Sequence, residues 1–171
     1  MAVRDLVFHP DPVLRQQTRP VEAFDSELAA LLDDLAESMY YHRGVGLAAP
    51  QIGVSVQVAV VDVDQREGTP RLIELVNPKV IDLSPDKAEG EEGCLSFPNE
   101  SELVVRPSRA TVRALDRHGQ HQEITAEGLL GRAMQHEIDH LDGILFIDYL
   151  SRLRRSLVER RMKKRARKAA S

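Results

Sequence analysis

The first helical pattern in the chain begins after Asp25 or Ser26, residue types whose side-chain oxygens cap helix N-termini. Apolar residues then recur at the three- and four-residue steps of an amphipathic helix. They are Leu28, Leu31, Leu32, Leu35 and Met39. Gly44 and Gly46 follow, and glycine commonly ends helices. The pattern predicts a first helix that packs its leucine face onto a core.

Two further helical patterns occupy the C-terminal part of the chain. The first spans about Gly128 to Leu141, with Asp142-Gly143 as its stop signal. The second begins near Asp148 or Ser151, with an apolar side and a basic side. The residues expected on its apolar side are Leu150, Leu153, Leu157, Val158 and Met162.

The segment between the first two helices has the β-branched density of strands, highest in Val54–Val61. Further strands are expected at Leu72–Val76, Lys79–Leu83, Leu103–Arg106, Ala110–Leu115 and Glu123–Ala126. Turn markers fall between them at Pro78, Pro85, Pro98, Pro107 and His118-Gly119. One helix, many strands and then two helices predict an α+β fold with a mostly antiparallel sheet.

Length and composition indicate one globular domain. A chain of 171 residues, 42% of them hydrophobic and 29% charged, can bury one core but not two ordinary ones. No stretch approaches the roughly 20 apolar residues of a membrane span, and the N-terminus lacks a signal-peptide core. Cys94 is the only cysteine, which suits a reducing compartment. We therefore expect a soluble cytoplasmic protein with no membrane partner. We also expect a monomer, although the sequence itself does not give the oligomeric state.

The net charge of −4 is unevenly distributed. Residues 151–171 contain ten Lys/Arg and one acidic residue, Glu159, whereas the other 150 residues carry 13 basic and 26 acidic side chains. This basic density favours a polyanionic partner, such as RNA, over a merely solvated helix face. We therefore divide the chain into a main domain, 1–150, and a basic C-terminal helix or tail, 151–171.

The candidate chemistry lies on the second predicted helix, in His136-Glu137-Ile138-Asp139-His140. Histidines four residues apart share a helical face about 5–6 Å from each other, which lets both bind one metal ion. Glu137 can then approach a water molecule on that ion. The alternative is a buried histidine pair without metal, but that would leave polar groups unpaired in the core at a high energetic cost. The motif predicts a metal-dependent hydrolase.

The third ligand separates families of metallohydrolases, whose catalytic sites use three protein ligands and one open position. An extended zinc-protease motif would place a histidine where this chain has Phe146, and the only later glutamate, Glu159, lies among arginines. The remaining soft ligand is Cys94. An HExxH metallopeptidase remains one alternative. A non-catalytic ribosome- or RNA-binding protein with a structural zinc is the other, although it would have no use for Glu137.

Three segments together resemble the peptide deformylase family. Gly44–Gln51, a stretch of small residues that a ligand can approach closely, matches the family motif Gly-x-Gly-Leu-Ala-Ala-x-Gln. Glu92–Ser96 matches Glu-Gly-Cys-Leu-Ser, and Gln135–His140 matches Gln-His-Glu-x-Asp-His. The resemblance implies an α+β fold with mostly antiparallel strands around a central metal-binding helix. It also implies hydrolysis of the N-formyl group from the formyl-methionine of nascent polypeptides, with release of formate.

The resemblance further implies one divalent metal ion, Fe(II) in the cell, with Zn, Ni or Co possible in purified protein. Its ligands would be Cys94, His136 and His140. Glu137 would transfer the proton of the attacking water to the leaving amine. The Gln51 side-chain amide and the Leu95 backbone N–H would stabilise the oxyanion. The implied substrate-binding residues are Val45, Gly46, Leu129 and Ala133, of which Gly46 would pair with the substrate backbone.

Two positions differ from the family pattern or have no assigned role. Some family members carry an arginine seven residues after the metal cysteine, where this chain has Ser101. Arg132 lies one turn before His136 and can extend to solvent or contact the substrate main chain.

The basic C-terminal segment resembles, in position and charge, the helix that docks some bacterial relatives on the ribosome.

Overall fold

Antiparallel pairing organises the strands of this computed structural model, which describes residues 2–170. Within that range the strands are β1 (Gly46–Ala48), β2 (Val58–Val61), β3 (Ile73–Leu83), β4 (Lys87–Cys94), β5 (Phe97–Pro107), β6 (Arg109–Leu115) and β7 (His121–Glu127). One sheet has the order β1-β2-β3-β6-β7, and β4 and β5 form a separate hairpin. The helices are α1 (Ser26–Tyr41), α2 (Gly128–Leu141) and α3 (Arg152–Ala170). The predicted α+β class is confirmed.

The larger sheet carries α1 and α2 on opposite faces. In the fully buried strand β2, Val58 and Val60 pack with the leucines of α1, whereas Ala59 and Val61 pack in the cluster that contains α2. This follows from the two-residue period of a strand, whose successive side chains point to opposite faces. The helix that carries the histidine motif is therefore central to the molecule, as predicted.

A third apolar cluster joins the β4–β5 hairpin to the C-terminal helix. Val158 and Met162 of α3 pack with Phe97, Phe146 and other buried side chains. Both α3 residues are almost completely buried, with exposed fractions of 0% and 3%. Residues 152–162 are thus part of the packed body and not a free tail.

The predicted helices agree closely with the structure. Asp25 caps α1 by accepting hydrogen bonds from the backbone N–H groups of Glu27 and Leu28, and α2 has the predicted bounds. On α3 the predicted apolar face was only partly right. Val158 and Met162 are buried, but Leu153 and Leu157 are 70% and 40% exposed, because the helix contacts the body along a narrow stripe.

The strand predictions need more correction. Residues 54–57 are not part of a strand, and β2 begins at Val58. The two strands predicted on either side of Pro78 are one strand, β3, which passes the proline at a bulge where Asn77 has a φ of 49°. Strands β1 and β4 were not predicted.

No helix within the described residues is both long enough and apolar enough to span a bilayer.

Met162→Ala should lower the free energy of unfolding by about 2–5 kcal/mol, because it leaves a cavity where α3 meets the body. Leu153→Ala, on the exposed side of the same helix, should change it by less than about 0.5 kcal/mol. Urea denaturation of the two variants at equal metal content measures the difference. Equal stabilities would mean that α3 does not contribute to the core.

Candidate metal centre

The centre is built on α2, whose interior turns place His136 and His140 on its buried face. Their ring centroids are 5.1 Å apart, and both side chains are almost completely buried. Burial lowers the pKa of His140 well below its ordinary value, which favours the neutral imidazole that metals bind. Its Nδ1 atom has no hydrogen-bond partner among the described residues.

Cys94 reaches the two histidines from the end of the β4–β5 hairpin. Its Sγ atom lies 3.4 Å from His140 Nε2. The ligand atoms of Cys94, His136 and His140 all lie within 4.8 Å of one another. A thiol and two imidazoles are a donor set that zinc and iron both accept. The residues present therefore fit a metal ion, and the three predicted ligands are brought together.

Glu137 lies beside this cluster and faces Gly46. Its Oε1 atom is buried without a hydrogen-bond partner among the described residues. Burial raises the pKa of Glu137 to about 7. A Cβ atom at position 46 would lie 2.8 Å from Glu137 Cδ, so only glycine lets β1 approach the carboxylate this closely.

Gln51 is oriented at both ends of its side-chain amide. Its Oε1 accepts from the Ala48 backbone N–H at 2.9 Å, and its Nε2 donates to Ser96 Oγ at 3.1 Å. Nε2 also lies 3.5 Å from Cys94 Sγ. One amide N–H is thereby held by Ser96, and the other is directed toward the cysteine.

A cleft of about 890 Å³ opens over the cluster. The other predicted substrate-binding or oxyanion-binding residues line it: Val45, Gly46, Leu95, Leu129 and Ala133. Ala133 is buried and Val45 partly buried, whereas Leu129 is 53% exposed at the rim. Leu95 lies in the two-residue turn between β4 and β5.

A buried carboxylate, Glu92, holds the histidine side of the centre in place. It accepts from His136 Nδ1 at 2.9 Å, which leaves Nε2 of that ring as the metal-binding nitrogen. It also accepts from Arg106 at 2.6 and 2.9 Å and from Arg132 at 2.8 Å. Burial alone would raise the pKa of Glu92, but the hydrogen bonds from His136 and Arg106 lower it to about 2.

Arg106 extends this network away from the metal ligands. Its Nη1 donates to Asp139 at 2.8 Å, and its guanidinium lies 4.6 Å from the ring centroid of Tyr149. The Tyr149 hydroxyl also donates to Asp139, at 2.7 Å. The polar residues of α2 that do not face the cleft thus have partners from β5 and from the segment before α3.

The structure assigns contacts to the two positions that the sequence left open. Arg132 donates to Glu92 and to the backbone carbonyls of Val104 and Ala88, so it ties α2 to the hairpin even though it borders the cleft. Ser101 donates to Glu91 at 2.6 Å. Sequence reasoning missed Arg106 because no motif marks it; the only signal was that buried Glu92 and Asp139 would need a cation.

The comparisons with known proteins agree with this geometry. The family model for polypeptide deformylase matches residues 3–156. The chain belongs to the peptide deformylase family. It is 51% identical to a peptide deformylase of Acidobacterium capsulatum over 96% of both chains, and 47% identical to that of Rhizobium meliloti over 97% of this chain and 95% of the relative.

Solved peptide deformylases share the fold. The enzyme from Legionella pneumophila superposes with a TM-score of 0.91 at 46% identity, covering 99% of this chain and 98% of that one. The Ehrlichia chaffeensis enzyme, solved in complex with actinonin, gives 0.91 at 39% identity and covers 96% and 98%. Peptide deformylases are metal-dependent hydrolases that remove formyl groups, and this chain is one of them. The metallopeptidase and structural-zinc hypotheses are therefore not favoured.

Glu92→Gln should weaken metal binding about 10–100-fold, because it removes the charge that orients His136 and that Arg106 and Arg132 neutralise. Competition with a chelator of known affinity measures the change. The matched control is Glu91→Gln, on the neighbouring residue, which accepts a hydrogen bond from Ser101. Equal metal affinities for the two variants would refute a supporting role for Glu92.

Proposed function

We propose that this chain hydrolyses the N-formyl group of formyl-methionine on nascent polypeptides, with Glu137 as its acid–base group. The observation that carries this proposal is the Glu137 carboxylate, buried beside the Cys-His-His cluster with one oxygen unpartnered among the described residues. A carboxylate in that state is costly unless a substrate or water takes up its free oxygen. A structural metal site would not require it.

Cys94, His136 and His140 hold the metal in this proposal, and Fe(II) is the ion we expect in the cell. When bound, such an ion is a Lewis acid that brings the pKa of water from 15.7 to about 7. The protein would influence the pKa of that water through the ligands that it supplies, one thiolate and two neutral imidazoles. Zn, Ni or Co fit the same donors in purified protein.

Glu137 accepts the proton of the attacking water at its carboxylate and later delivers a proton to the leaving amine nitrogen. Gly46 supports this role because it leaves room for the carboxylate. Water loses a proton to Glu137 as its oxygen bonds to the formyl carbon; the C–N bond then breaks, and the amine leaves protonated. The products are formate and a free N-terminus.

The developing oxyanion is stabilised by two N–H donors. One is Gln51 Nε2, whose second N–H is directed toward Cys94 while the first is held by Ser96. The other is the backbone N–H of Leu95, in the tight turn that follows the cysteine. The hydrogen bond from Ala48 to Gln51 fixes the amide orientation before substrate binds.

The substrate backbone pairs as an added strand with the small-residue segment Gly44–Gln51, around Gly46 of β1. Val45, Leu129 and Ala133 form the pocket for the methionine side chain. This assignment is supported by their positions, because all three residues line the same cleft as Glu137.

Glu137→Gln should reduce the kcat of formate release from formyl-Met-Ala-Ser about 10²–10⁴-fold while metal stays bound, because the amide cannot accept the proton. Cys94→Ala should instead lose the metal, since it removes a ligand. Formate release and metal content are measured anaerobically with iron, nickel, cobalt and zinc. Undiminished turnover by Glu137→Gln, or no formate from the wild-type iron form, would contradict the assignment.

The exposed basic residues near the end of α3 suit a second partner, the ribosome and its RNA. Lys163, Lys164 and Arg167 all lie on the surface. Since nascent chains are made in the cytoplasm, we propose that the enzyme works there, as a monomer, with α3 bringing it to its substrate.

Replacing Lys163, Lys164 and Arg167 by glutamine should weaken ribosome binding and reduce the slope of log K against log salt concentration by about 2–3. Substitution is preferable to truncation because α3 also buries Val158 and Met162. Turnover of short formyl peptides should not change. An unaltered ribosome affinity across the salt titration would exclude this docking surface.

A further inference from the structure

Two ion pairs join α3 to strand β5 and show in which direction the helix runs along it. Arg154 donates to Glu102 at 2.5 and 3.0 Å, and Arg161 donates to both carboxylate oxygens of Glu100 at 2.7–3.0 Å. As α3 advances from residue 154 to residue 161, its partners on β5 therefore move back toward Phe97 and the metal centre. The C-terminal part of α3 consequently approaches the cleft.

Arg165 follows Arg161 by four residues, which puts both on the same helical face. Its side chain lines the cleft, as do Pro98, Asn99 and Glu100 at the beginning of β5. Arg165 forms no hydrogen bond or ion pair with any residue in the described range 2–170. The five N–H donors of its guanidinium therefore have no acceptor among those residues.

Within the described residues, none of the acidic side chains that line the cleft forms an ion pair with Arg165. Glu100 is occupied on both oxygens by Arg161, and Glu91 accepts from Ser101. Arg132, the cation that borders the cleft from α2, is bound to Glu92 and to hairpin carbonyls. Arg165 is therefore a cation at the cleft wall that is available to a ligand.

We propose that Arg165 is a specificity-determining residue that favours an acidic side chain downstream of the methionine. The inference rests on the proposed function, which puts the formyl group at Cys94, His136 and Glu137. The segment from Pro98 to Glu100 follows Cys94 along β5 and lines the cleft with Arg165, so we expect later residues of the peptide to pass Arg165. A guanidinium matches the two oxygens of a carboxylate in its geometry as well as its charge.

The test compares two nearly isosteric substrates, formyl-Met-Ala-Asp-amide and formyl-Met-Ala-Asn-amide, whose C-terminal amides remove the other carboxylate. Wild-type enzyme should prefer the aspartate peptide about threefold in kcat/KM, through KM, as expected for an exposed charge pair. Arg165→Gln should abolish the preference, Arg165→Glu should reverse it, and Arg165→Lys should retain part of it. The dissociation constants of the products, Met-Ala-Asp-amide and Met-Ala-Asn-amide, should change in parallel.

Arg160→Glu is the matched control. It makes the same change in charge on an exposed residue of α3 that does not line the cleft. It should keep the wild-type preference. No preference in the wild type, or the same preference in Arg165→Glu and Arg160→Glu, would overturn the inference, and so would an Arg165→Glu effect confined to ribosome binding. If neither peptide yields formate, the proposed function fails instead, and the product affinities still test Arg165.

Discussion

The buried carboxylate of Glu92 is the interaction on which the rest of the centre depends. It comes from the β4–β5 hairpin, which forms a sheet of its own, and it accepts hydrogen bonds from His136 and Arg132 of α2 and from Arg106 of β5. Bringing one carboxylate into the interior costs several kcal/mol unless it is paired. Two guanidiniums and an imidazole satisfy both of its oxygens, so the hairpin and α2 are held in one relative position. Cys94, two residues further along, is thereby delivered to the histidines.

The same constraint explains the distribution of polar residues on α2. One side of the helix packs Met134 and Ile138 against the sheet, and the opposite side carries the ligands toward the cleft. Between them, Asp139 is neutralised by Arg106 and accepts from Tyr149. A central helix with this many ionisable groups is stable only because each has a partner in the protein or a ligand to bind.

Much of the fold followed from periodicity alone, since α1 and α2 have regular apolar stripes and clear end signals. Strand β1 escaped prediction because its three residues are all buried and show no alternation. Strand β4 escaped because Glu89, Glu91 and Glu92 give it the composition of a loop; its pairing with β5 is set by the turn at Leu95 and Ser96. The three ligands were found through motifs, whereas Arg106 and Arg165 were not. Their positions depend on which surfaces the chain brings together, and sequence spacing does not encode that.

The contact between Cys94 and His140 also bears on the stability of the folded state. These residues are 46 positions apart, so a metal held by both is a reversible cross-link that closes a long loop. Closing a loop of this length lowers the entropy of the unfolded chain. By the relation used for disulfides, this stabilises the folded state by about 4 kcal/mol. Since one end of the link is a thiolate, oxidation of that sulfur would open the loop as well as release the ion. A reagent that modifies this sulfur would then lower the stability of the folded chain as well as its affinity for the metal.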